Sequence, residues 1–295
     1  MCRAEGFTAL TSIIVHKNGI EIIATLDVVH SNILENGEAG LSTEAMNRLG
    51  AKNGEMVSIS HLPPIQSLSK VRAKMHGREL DEVSYKEIIT DIVAGHYSNI
   101  EIAAFVTACA GDNLSVNETI SLTKAMISVG LKREWGKKMI LDKHSVGGLP
   151  GNRTTPIVVS IIAAAGLTIP KTSSRAITSP AGTSDTMETM TKVNLTMEEI
   201  KNVVDKEGGC MAWGGAVKLS PADDLLIAVE KALDMDSEAQ MVASVLSKKA
   251  AAGSTNVVID IPVGPTAKVR SQEEALRLQY YFKAVSEAVG IHSEI

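Results

Sequence analysis

Lysine, histidine, hydroxyl residues and glycine crowd into one stretch of this chain, DKHSVGGLPGNRTT at 142–155. Gly147, Gly148 and Gly151 let backbone N–H groups come close to an anion, and Lys143, Ser145, Thr154 and Thr155 add side-chain donors. The apolar run 138–141 before it reads as a buried strand, and 156–166 after it reads as a buried helix. Strand, glycine-rich loop and helix is the order of a phosphate cradle. The spacing is neither GxxxxGKS/T nor GxGxxG. Taken alone, the loop reads equally well as an ordinary strand-to-helix turn.

A second stretch, KTSSRAITSPAGTSDTME at 171–188, follows another short strand candidate at 167–170. It sets Lys171 and Arg175 among Thr172, Ser173, Ser174, Thr178, Ser179, Thr183 and Ser184. Hydroxyl-rich loops after two successive strands face one crevice at the strand ends of an open α/β sheet. A plain polar loop accounts for the hydroxyls but not for cations paired with them in both places.

Composition narrows the classes of function. A chain of 295 residues with 44% hydrophobic content buries substantial cores and suggests two or three units. Net charge is −5 and aromatics are 3%, which argues against a nucleic-acid binder. Cys2, Cys109 and Cys210 are widely spaced, which fits neither a disulfide framework nor a zinc site, and no metal is expected. No apolar run spans a bilayer and no signal peptide is evident, so a cytoplasmic protein without membrane partners is expected.

The elements that position the two loops fall into three groups. Residues 8–16 and 20–27 are strand-like and joined by the turn signal Lys17-Asn18-Gly19; 42–49 suggests a helix and 56–61 a strand. This is a small β-rich, barrel-like domain, with a boundary over 63–77. From Glu82 the period becomes helical. Ser84/Glu87, Ser98/Glu101 and Ser115/Glu118 have capping-box spacing, with Gly95, Gly111 and Gly130 near the stops. An α/β part starts near Lys138. There, Thr196/Glu199 opens a helix, 208–215 is a strand with Trp213 packed inside, and Ser220-Pro221 starts a helix. Ser237/Gln240 caps 238–251, 256–263 is a buried strand, and Ser271/Glu274 caps a helix to about Val289. The fold class is therefore multidomain, α/β plus all-α: 1–78 β-rich, 79–137 with 217–251 helical, and 138–216 with 252–295 an α/β phosphate-binding domain.

DKHSVGG and SSRAITSPAGTSDTMETM resemble the two phosphate-site motifs of the thymidine phosphorylase family, the second most closely those of its AMP phosphorylase branch. The similarity runs from about the N-terminal domain to the last residue. Family members continue well beyond, so the α/β domain is expected to be incomplete, which bears on activity. The resemblance implies phosphorolysis of a nucleoside or nucleotide, with inorganic phosphate as co-substrate, no cofactor, and a homodimer or larger homo-oligomer. It implies phosphate contacts from Lys143, Ser145, Thr155, Ser173 and Thr183, and His144 at the base. The AMP branch implies nucleotide contacts at Gly148, Ser174, Arg175, Ala176, Ile177, Thr178, Ser179, Thr183, Ser244 and Lys268, with Asp236 giving a proton to the leaving base. By sequence alone His144 reads also as a satisfied loop histidine, and Asp236 as a helix-start carboxylate.

Pyrimidine phosphorylases read the base with an arginine, a serine and a lysine. Ser244 and Lys248 match the last two, but 226–230 reads LIAVE, with no arginine. No aliphatic residue replaces the bidentate fork of arginine. Three alternatives remain: a thymidine or pyrimidine-nucleoside phosphorylase proper, a phosphoribosyltransferase needing diphosphate and magnesium, and a non-catalytic nucleotide- or phosphate-binding fragment.

Overall fold

The computed structural model describes residues 6–147, 149, 153–175, 181–217, 219–235 and 237–295. Gly148, Gly151, Ala176, Ile177, Thr178, Ser179, Asp236 and Cys2, all singled out above, lie outside the described residues.

The N-terminal part is built on a hairpin. β1 (Ser12–Lys17) and β2 (Ile20–Thr25) pair antiparallel through Asn18-Gly19, whose φ values of 49° and 80° suit a turn matching the twist of the strands. β3 (Ser58–His61) pairs with the other side of β1, and α1 (Thr43–Leu49) brings Leu49 onto Ile13, Val15 and Ile22. The barrel expected from sequence does not close: the strand order is β2-β1-β3, leaving both outer strands as edges. Three strands are too few to curl round an interior.

The helical part holds α2 (Leu68–Met75), α3 (Glu82–Val93), α4 (Asn99–Ala108) and α5 (Val116–Ser128). α2 falls inside the segment read as a boundary. Its Val71 is buried in the helical core and its Lys74 is paired to Glu118, so tertiary contacts stabilise a helix that its sequence does not announce. α3 is capped by Asp81, which accepts from the Ser84 N–H, so Ser84 is a buried first-turn residue and not the cap. Later α9 (Pro221–Leu233) and α10 (Glu238–Ala251) return to this core through Ala222, Leu226, Ala239 and Ala243.

In the α/β part, β4 (Leu141–Ser145), α6 (Thr154–Ala164) and β5 (Ile169–Ser173) follow one another. Next come α7 (Thr183–Glu188), α8 (Met197–Glu207), β6 (Gly209–Trp213), β7 (Asn256–Asp260), α11 (Gln272–Ala288) and β8 (His292–Glu294). β5 and β6 pair parallel, as do β4, β7 and β8. β4 and β5 lie side by side, joined by the Leu141 N–H to Thr168 O bond. The spatial order is therefore β6, β5, β4, β7, β8. From β4 the chain steps outward through β5 to β6, then returns to the opposite side of β4 as β7. The crevice beyond the carboxyl ends of β4 and β7 is thus the topological switch point, where open parallel sheets bind ligands.

Candidate functional site

Asp142, Lys143, His144 and Ser145, read from sequence as a loop, are the body of strand β4. Alternation along β4 sends them to two faces. On one face Lys143 Nζ lies 2.8 Å from Asp260 Oδ1, and Ser145 Oγ donates to Asp260 Oδ2 at 3.1 Å. Ser145 and Asp260 are register partners at the last positions of β4 and β7, at the switch point itself. The Lys143 side chain is 4% exposed, and its ammonium has no acceptor at hydrogen-bonding angle among the described residues, despite the ion-pair distance.

On the other face Asp142 is fully enclosed. Its Oδ2 pairs with Lys249 Nζ at 2.8 Å and accepts from Ser254 Oγ at 3.3 Å; its Oδ1 lies 3.8 Å from Lys171 Nζ and accepts the Lys143 N–H at 2.7 Å. Lys171 also donates to Thr172 O. Beside them, Lys248 pairs with the buried Asp223 of α9 at 2.8 Å. Four lysines therefore face three carboxylates. His144 is held well below the ordinary imidazole range by burial first and then by the nearby lysines, Lys249 foremost. A neutral imidazole offers one donor and one acceptor to a ligand edge.

The remaining expected residues have these places in the fold. Thr155 is buried in the first turn of α6, whose N-cap residue, Arg153, makes no side-chain capping bond. Ser173 ends β5 and shares a 2.7 Å hydroxyl bond with Ser184, and Thr183 opens α7. Ser244 lies one helical turn before Lys248 on α10. The Lys268 N–H donates to Gly147 O at 3.4 Å, tying the segment after β7 to the loop after β4. Arg175 is engaged elsewhere: it grips Glu188 through both ends of its guanidinium, reaches Asp185 at 3.3 Å, and lies over the Trp213 ring. Ser174 is its exposed neighbour.

Sequence reasoning passed over Lys249, Asp260 and Asp223. The signal was there: Lys249 sits inside the apolar run VASVLSKKAAAG, and Asp260 interrupts NVVIDIPV. A charge inside an apolar run must be paired, and the pairing is what builds a site. Among the described residues no three His, Cys, Asp or Glu side chains converge to hold a metal ion. No helix there is long and apolar enough to cross a membrane. A cavity of about 850 Å³ between α2, α4 and α11 is lined by none of the expected site residues.

Known proteins resemble this arrangement. Residues 69–130 match the glycosyl transferase family helical bundle domain, and 137–279 match the glycosyl transferase family a/b domain. A protein of Acidovorax sp. (strain JS42), provisionally named thymidine phosphorylase 2, is 56% identical over 291 residues, 99% of this chain and 57% of that protein. Provisionally named thymidine phosphorylases of Polaromonas sp. and Hahella chejuensis are 54% and 55% identical, each over 100% of this chain and 58% of their own length. The chain thus spans less than two thirds of the length of the curated relatives it matches. Among solved structures, anthranilate phosphoribosyltransferase from Thermus thermophilus superposes with a TM-score of 0.60 at 18% identity, over 75% of this chain and 63% of that one. That likeness is one of fold.

Proposed function

The chain belongs to the thymidine phosphorylase family of glycosyl transferases, and from that membership we propose that it serves phosphorolysis of an N-glycosidic bond. An oxygen of inorganic phosphate attacks the sugar C1′. The C1′–N bond breaks with its electron pair passing to the base, and a sugar 1-phosphate and the free base result. The observation that carries this reading is the enclosed Lys143 ammonium, ion-paired to Asp260 but not aligned with an acceptor among the described residues, beside Ser145 at the switch point. A phosphate oxygen would complete its bonding. Thr155, Ser173 and Thr183 supply hydroxyl donors to the same anion, and the start of α6 adds its dipole.

On the base side, neutral His144, Ser244 and Lys248 meet the leaving group, and Asp236 is the proposed proton donor. Negative charge developing on the base is stabilised by the excess cations. Closure of the helical unit (79–137 with 217–251) on the α/β unit (138–216 with 252–295) excludes water that would otherwise hydrolyse the sugar. The proposal includes a homodimer or larger homo-oligomer, a cytoplasmic setting, and phosphate as co-substrate without a cofactor.

For the finer substrate we propose a nucleoside 5′-monophosphate. It is supported by the missing arginine at 226–230 and by the motif at 173–190, with Gly148, 174–179, Thr183 and Lys268 on the nucleotide. Thymidine is the second reading, favoured by the names of the relatives. Phosphate-dependent base release from AMP, CMP, UMP and thymidine decides between them. Release from AMP and not thymidine supports the first; release from thymidine alone supports the second. Lys143→Ala is expected to lower kcat/KM for phosphate by on the order of 10²-fold or more, and unchanged turnover would remove Lys143 from the site.

A further inference from the structure

Beneath the proposed base-side residues lies a group of charges that the reaction above does not use. Lys171 and Lys249 reach a single carboxylate, Asp142, from β5 and α10, and all three side chains are enclosed. Lys249 holds the direct pair at 2.8 Å, whereas Lys171 stands 3.8 Å away and donates instead to Thr172 O. Two enclosed lysines thus share one carboxylate, and an enclosed cation without a carboxylate of its own is the one that gives up its proton most readily. Lys249 has the closer claim on Asp142. The geometry therefore leaves Lys171 as the amine.

We infer that Lys171 is an electrostatic positioning residue for this site, an uncharged amine when the site is empty that takes up a proton when an anion occupies it. The inference rests on the phosphate-site reading given above. Among the described residues, the elements packed on β5 and the Lys171 side chain offer these titratable groups. β4 offers Asp142, Lys143 and His144; β6 offers the Cys210 thiol; α10 offers Lys248 and Lys249. α6 carries no ionisable side chain; on α8, Glu198, Lys201, Asp205, Lys206 and Glu207 are exposed and Glu199 pairs with Lys192. Further out, Asp260 and Asp223 pair with Lys143 and Lys248. The groups that keep Lys171 uncharged are thus burial and neighbouring cations, Lys249 first and Lys143 after Asp142's opposing pull. An anion on Lys143 cancels that repulsion, and the proton arrives from solvent. The added charge then lies under the side of the site where the leaving base becomes negative.

Sulfate tests this, since it mimics phosphate but does not itself titrate near neutrality. Calorimetric titration of the full chain with sulfate at pH 7.0 to 8.5, in two buffers of different ionisation enthalpy, reads protons taken up per ion bound. The wild type is expected to take up a large fraction of one proton, with affinity falling toward tenfold per pH unit at the upper end. In Lys171→Met, sulfate still binds, the uptake disappears and the affinity becomes nearly flat with pH. Lys249→Met, which hands Asp142 to Lys171, is expected to lose the uptake as well. Binding without uptake by the wild type overturns the inference, and so does uptake retained in Lys171→Met, which would move the proton to His144. If neither sulfate nor phosphate binds the wild type, the phosphate-site reading itself fails.

Discussion

A lysine enclosed beside a second lysine leaves a mark on stability that needs no ligand. Burial and the Lys249 charge hold the Lys171 ammonium down to about 7, against the opposing pull of Asp142. Lysine in the unfolded chain keeps its proton to about 10.4. Between these values the unfolded chain binds a proton that the native protein does not, so native stability rises with pH from about 7 to about 10. The limiting slope for one group is about 1.4 kcal/mol per pH unit. Urea unfolding of wild type and Lys171→Met at pH 7, 8 and 9 isolates the effect: their difference should shift progressively in favour of the wild type as pH rises. A difference constant over that range would mean that Lys171 is charged in the native state. At this scale the sequence points to Lys143, His144 and Ser145 as candidates because they sit together in one motif, and the fold carries them on one strand. Lys249 and Asp260 show in the sequence only as charges inside apolar runs, and their partners, more than a hundred positions away, are set by the fold.

Elements were readable where a local rule governs them and misread where a distant contact does. The capping boxes at Ser98/Glu101, Ser115/Glu118, Thr196/Glu199 and Ser271/Glu274 all form, because each closes within one turn. Ser237/Gln240 has the spacing but not the bonds: Gln240 turns inward and donates to Val106 O on α4. The apolar run before β4 misplaces that strand three residues early, since its charged residues look like a loop until Asp260, Lys249 and Lys171 are seen to enclose them. Glu118 shows both kinds of rule at once. It caps α5 through the Ser115 N–H, yet it also takes Lys74 Nζ at 2.6 and 2.7 Å, the Leu80 N–H at 2.9 Å and the Tyr85 hydroxyl at 3.0 Å. Burial opposes its charge, but Lys74 and the Leu80 and Ser115 N–H groups together hold its carboxyl below the usual range. Glu118→Gln leaves Lys74 enclosed without its partner and should cost about 3–5 kcal/mol at pH 7. Since the native carboxyl is more acidic than the unfolded one, this contribution is complete above the unfolded value and is lost as pH falls through the native one. Denaturant midpoints at pH 7 and in the acid range should therefore converge; a gap that persists in acid would assign the loss to packing.

At the scale of the whole molecule, α10 is the member shared by every core outside the N-terminal sheet. Its Ala239 and Ala243 pack with the helical part, Val242, Val245 and Leu246 with α11 and β7, and Ala251 joins the core under β6. The same helix brings Lys248 to Asp223 and Lys249 to Asp142. Its end is where the helical and α/β parts are stitched: the Arg133 N–H donates to Ala251 O, and the Trp135 indole N–H to Ala252 O at 2.8 Å. Gly253 makes that stitch possible. Its φ is +79°, and a β-carbon there would stand 2.3 Å from Arg133 O and 3.1 Å from the Trp135 ring. Gly253→Ala must therefore bear a left-handed backbone, costing about 1–2 kcal/mol, and also push the crossing strand off the end of α10. A total loss of roughly 2–4 kcal/mol is expected in urea unfolding. The site should register the same displacement, because Lys248 and Lys249 lie in the last turn before it. Anion affinity should weaken several-fold in molecules that remain folded. If stability falls while affinity holds, the lysines are fixed by Asp142 and Asp223 alone; if both fall together, the stitch between the two parts is what sets the cations in register with the strand ends.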